Sequence, residues 1–60
     1  MYYDTVKKET IKFIDGDLYV FDDEGYTINL IKLTDAARNV CVSMMEERPE
    51  RFITCDTFVL

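Results

Sequence analysis

Residues 10–31 read TIKFIDGDLYVFDDEGYTINLI, and the way this stretch pairs with itself decides the fold. Its β-branched and aromatic residues alternate with polar ones and are broken twice by acidic-glycine turns, the pattern of a three-stranded antiparallel meander. Asp15-Gly16 predicts a two-residue hairpin, since both turn positions require positive φ and Gly supplies it without strain. This turn pairs Ile14 with Asp17, Phe13 with Leu18, Lys12 with Tyr19 and Ile11 with Val20. Side chains alternate along a strand, so Ile11, Phe13, Leu18 and Val20 share one face.

The second turn is read from the register it produces. A two-residue loop at Glu24-Gly25 would set Phe21 against Ile28 and Val20 against Asn29, mixing the faces. A three-residue loop, Asp23-Glu24-Gly25 with Gly25 left-handed, sets Val20 against Ile28 and Leu18 against Leu30. The expected core then has two layers, one of Ile11, Val20 and Ile28, the other of Phe13, Leu18 and Leu30.

Downstream, Leu33-Thr34-Asp35 predicts a helix entry. Thr34 is a good N-cap, Asp35 suits the positive end of the helix dipole, and Ala36-Ala37 are strong helix formers. The helix is expected over 35–47, because Pro49 turns Arg48 away from helical geometry. Ala37, Val40, Cys41, Met44 and Met45 recur at three- and four-residue steps, a stripe expected to face the sheet. The tail from Phe52 is β-branched and aromatic and predicts a last strand, either joined to the sheet by a crossover or passed to another subunit. Upstream, Tyr2, Tyr3 and Val6 are expected to lengthen the first strand from about Val6, or else to form a short arm over the core. The fold class is therefore α+β, in the order β-β-β-α-β, with one helix on one face of the meander and a single domain over 1–60.

Composition bounds the function. Twelve acidic against seven basic residues give a net charge of −5, which argues against direct binding of nucleic acid or an anionic membrane. No apolar run is long enough to span a membrane and MYYDTVKKET lacks a signal-peptide pattern, so a cytoplasmic location is expected. The chain has no His, which removes the commonest proton shuttle and the base of the usual zinc, serine and cysteine constellations. Asp15, Asp17, Asp22, Asp23 and Glu24 lie at opposite ends of the meander and lack the order of a calcium loop. No catalytic group, metal, cofactor or small-molecule substrate is expected. Cys41 and Cys55 lack metal or redox spacing and are read as small core residues; they can meet in a disulfide only if the helix packs over the last strand.

The second face of the meander points to a partner. The expected register places Thr10, Lys12, Tyr19, Phe21, Thr27 and Asn29 there, with Ile14 and Ile31 near one end and Phe52 or Phe58 added by the tail. One helix cannot cover both faces, and aromatic side chains are enriched at interfaces. Lys12, Tyr19, Phe21, Asp22, Asp23, Glu24 and Phe58 are the expected partner-binding residues. The functional expectation is a small acidic, non-enzymatic module that regulates or inhibits a larger protein, of the economical size used by phages and mobile elements. The alternative is a structural homo-oligomer, a homodimer first, or an assembly subunit that uses the helix-free face.

Overall fold

The structure is a computed structural model and describes residues 1–55. Among the described residues five strands, β1 (Tyr2–Asp4), β2 (Glu9–Ile14), β3 (Asp17–Phe21), β4 (Thr27–Ile31) and β5 (Phe52–Thr54), form one sheet with a single helix, α1 (Asp35–Glu46). The strand order is β4-β3-β2-β1-β5 and every neighbouring pair is antiparallel. The class is α+β as expected, with one strand more than the sequence pattern suggested.

The first correction lies at the N-terminus. Residues 2–4 form a separate strand, and β2 begins at Glu9 rather than near Val6. The reason is a turn held by Asp4, whose Oδ1 accepts the amides of Val6 at 2.9 Å and Lys7 at 3.2 Å. Lys8, at φ 57°, completes the reversal. Val6 is consequently an exposed turn residue.

The β2–β3 hairpin has the expected register, from Ile11↔Val20 to Ile14↔Asp17. Asp15 and Gly16 have φ of 52° and 84°, the two left-handed positions that this tight turn demands. The next loop also closes as expected. Asp22 N donates to Tyr26 O at 2.9 Å, Gly25 N donates to Asp22 O at 3.0 Å, and Gly25 has φ 88°.

Beyond that loop the expected register fails. Phe21 pairs with Thr27 but Val20 pairs with Asn29, so Ile28 is an extra residue on β4. Such a bulge displaces every later residue by one position and so exchanges faces. Leu30 stands opposite Tyr19 and Ile31 opposite Leu18, instead of Leu30 opposite Leu18. In a regular strand Ile28 and Ile31, three apart, would point to opposite faces. The bulge lets both turn toward the helix, and Asn29 moves there from the face expected for it.

Helix α1 follows the sequence closely. Thr34 is extended and its Oγ1 accepts from Ala37 N at 3.1 Å, while Glu47 caps the other end. The expected apolar stripe divides. Met45 is buried, Ala37 and Cys41 are half-buried, but Val40 and Met44 stay 58% and 52% exposed. Helix α1 carries the chain from the β4 edge across to the opposite edge, where β5 pairs with β1 and not with β4. Among the described residues only Leu18 and Met45 are buried hydrophobic side chains.

Candidate protein-interaction surface

Helix α1 covers one face of the sheet incompletely. Between them lies a cleft of about 530 Å³. Its walls include Ile11, Leu18 and Val20 from the sheet and Cys41, Met44 and Met45 from the helix. On one side it is bordered by Ile28, Asn29 and Ile31 of β4, whose five residues are all exposed. Lys7, Glu9 and Arg48 stand at its other end, beside Asp4 and Phe52.

The helix-free face carries Thr10, Lys12, Tyr19 and Phe21, as their pairings require. Tyr19 and Phe21 lie one above the other, ring centroids 6.3 Å apart and planes 14° from parallel. Both rings and Lys12 are half-buried. Thr10, paired with Phe21 on one side and Tyr3 on the other, is only 1% exposed. Three residues join this face unexpectedly. Tyr3 and Ile53 arrive because β1 and β5 extend the sheet past β2, and Leu30 arrives through the bulge. Leu30 and Ile53 are both exposed. The Tyr-Tyr pair at the start of the chain was a signal for Tyr3, but only long-range pairing assigns it to this face. Phe52, opposite Asp4, faces the helix side, and Phe58 lies outside the described residues.

The acidic loop serves its own fold before any partner. Asp22 Oδ1 accepts the amides of Glu24 and Tyr26, both at 2.9 Å, so this carboxylate organises the turn. Asp23 lies near Tyr3, whose hydroxyl is pushed above its ordinary pKa, first by burial and then by the Asp23 charge. Glu24 is exposed. At the other end of the sheet Asp17 accepts from Leu33 N at 3.4 Å and meets Lys32 at 3.7 Å, a solvent-screened pair of small energetic value.

The best-defined polar cluster was not anticipated. Arg51 grips the Asp4 carboxylate with two bonds of 3.0 Å, Nε to Oδ1 and a terminal nitrogen to Oδ2. The Asp4 side chain is 5% exposed and that of Arg51 30%. The Arg51 guanidinium also lies 4.9 Å from the centre of the Phe52 ring. The Arg51 carbonyl accepts from both the amide and the hydroxyl of Thr5. The guanidinium, then the Lys7 and Val6 amides, hold the Asp4 carboxyl below its ordinary pKa despite burial. A carboxylate so engaged remains ionised and is unsuited to taking up protons near neutrality. Its geometry is that of a clamp that joins the β1–β2 turn to the start of β5.

Cys41 and Cys55 are free thiols. Cys41 lines the cleft, and Cys55 lies beside Met1, its amide bonded to the Met1 carbonyl at 3.0 Å. No helix among the described residues is long and apolar enough to cross a membrane. Compared with known proteins, the chain matches no family model, no curated protein and no solved structure.

Proposed function

We propose that this chain is a non-enzymatic, acidic protein-binding module that regulates or inhibits a larger protein through the helix-free face of its sheet. The observation that carries this reading is the Tyr19–Phe21 ring stack, with Lys12 and exposed Leu30 opposite Tyr19 on either side and exposed Ile53 farther along the same face, at the β5 edge. Aromatic groups set among aliphatic ones, with a charged rim, have the make-up of an interface centre. Asp23 and Glu24 at the end of this face supply the acidic part of the rim and favour a partner with a basic site. Asp22 contributes by shaping the loop that presents them.

The test compares capture by the full chain and by a Tyr19→Ser/Phe21→Ser variant from lysate of the native host, read by mass spectrometry. A protein retained by the first and lost by the second, with the variant still folded by circular dichroism, supports the reading. Unchanged capture by the folded variant refutes it. A second reading, self-association, draws on a different feature, the uncovered β4 edge.

A further inference from the structure

The two longest charge-free stretches among the described residues are 25–31 (GYTINLI) and 39–45 (NVCVSMM), each of seven residues in a chain with 32% charged residues. They are far apart in sequence, yet the fold sets both along the same open cleft. Strand β4 supplies Ile28 and Ile31 to its border, and α1 supplies Cys41, Met44 and Met45 to its roof. Val40 stands one turn from Met44 on the same line of the helix and is also exposed. At the same place β4 is an outer strand of the sheet, bonded among the described residues to β3 alone. Charge is thus withheld from β4 and from the Val40–Met44 line of α1, both of which are exposed.

We propose that β4 is the self-association edge of this protein, pairing antiparallel with β4 of a second copy about a two-fold axis at Leu30. This interface meets the Tyr19–Phe21 surface at Leu30, which stands opposite Tyr19, but does not rest on that reading. The register follows from the faces. Leu30 opposite its own copy keeps both side chains on the helix-free face, and Asn29 then meets Ile31 of the second copy on the helix face. The direction follows from charge. A parallel pair would set Asp22, Asp23 and Glu24 against the same three acids, whereas the antiparallel pair separates the two acidic loops to opposite ends and brings Lys32 toward the partner's loop end.

The backbone is poised for this pairing. Antiparallel strands point successive residues alternately toward one neighbour and the other. The Leu30 amide is directed away from the β3 ladder and is occupied only by the adjacent Asn29 Oδ1, at 2.9 Å. A second strand can replace that local bond with a ladder bond. A stable interface needs roughly 800 Å² per partner, about a fifth of the 4258 Å² surface of this chain. Tyr26, Ile28, Leu30, Ile31, Val40 and Met44 provide an exposed apolar patch around the edge. Closure by a two-fold axis uses up both copies of the edge and yields a dimer rather than a fibre.

Sedimentation of the full chain over a range of concentrations gives the first reading, with a species of twice the 7.1 kDa chain mass expected. A monomer at every concentration, or open-ended growth beyond the dimer, overturns the proposal. Leu30→Pro removes only an amide outside the intramolecular ladder, so the variant is expected to stay folded and to sediment as a monomer. A folded Leu30→Pro dimer overturns the proposal. Cross-linking tests the register independently and decides the matter should Leu30→Pro unfold. In a Cys41→Ser/Cys55→Ser background, Leu30→Cys is expected to form an intermolecular disulfide on oxidation. Directly opposed, hydrogen-bonded residues have Cα atoms about 5.5 Å apart, within the disulfide range. Lys12→Cys in the same background is expected to stay unlinked. Failure of Leu30→Cys to link, or efficient linking through Lys12→Cys, places the contact elsewhere and refutes edge pairing while leaving the partner-binding reading intact.

Discussion

Replacing Asp4 with alanine removes a carboxylate that accepts four hydrogen bonds from three separate groups. Asp4 accepts two bonds from the Arg51 guanidinium and two from the amides of Val6 and Lys7. Breaking a fully buried ion pair by removing one partner costs about 3–5 kcal/mol, chiefly through the orphaned charge. Here the Arg51 side chain is 30% exposed and can recover part of its hydration, and the freed turn amides can bind water. The expected loss for Asp4→Ala is therefore about 2–3 kcal/mol, lower than the fully buried case. A single core in a chain of this size supplies only ~3–5 kcal/mol, so most of the stability is at stake. At roughly 4–8 °C per kcal/mol for a small domain, the thermal midpoint should fall by about 10–20 °C. Thermal unfolding followed by circular dichroism at neutral pH measures this directly. The Asp4→Ala/Arg51→Met double variant should melt above Asp4→Ala, because it removes the unpaired charge as well. A midpoint for Asp4→Ala within a degree or two of wild type, or a double variant no better than the single, would show that the clamp does not hold β5 to the sheet.

The same carboxylate sets an acid limit. The Asp4 pKa is lowered from its ordinary 3.8, so its contribution is complete above that value and is lost as pH falls through the lower folded-state pKa. Wild type should therefore lose stability on acidification below pH 3.8 more steeply than Asp4→Ala does, and parallel acid-unfolding curves would contradict this assignment. A Cβ added at Gly25 meets no atom within 4 Å, but Gly25→Val must hold φ near 88°, so a loss of about 1–3 kcal/mol is expected from backbone strain; an unchanged denaturant midpoint would count against the loop geometry. Leu18→Ala should cost about 2–4 kcal/mol and Val40→Ser under about 0.5 kcal/mol, since one side chain is buried and the other exposed; comparable losses in chemical denaturation would mean that α1 is rotated. Cys41→Ala should cost about 1 kcal/mol through lost packing, and reductant should leave the wild-type melting midpoint unchanged because both thiols are free.

Local chemistry was legible wherever a few neighbouring residues determine the backbone. Asp15-Gly16 and Gly25 specify left-handed positions, and Thr34 specifies a helix start, because the relevant sterics and bonds span at most four residues. The β2–β3 register follows from its turn alone. The Tyr19–Phe21 alignment follows in turn, since residues two apart on a strand share a face. What lay beyond the sequence pattern depends on contacts between distant segments. Asp4 and Arg51 are 47 residues apart, and only their meeting explains why the chain turns at residue 5 and why β5 joins β1. Neither residue is distinctive by itself in so acidic a chain. The β4 bulge is likewise a tertiary outcome. A period-two pattern cannot place both Ile28 and Ile31 on the helix side, whereas a single extra residue can, at the expense of sending Leu30 to the other face. The exposure of Val40 and Met44 is a third case. Helical spacing identifies them as one side of an apolar stripe, but how far the helix leans over the sheet is set by packing, and here it leaves the Met44 side open along β4.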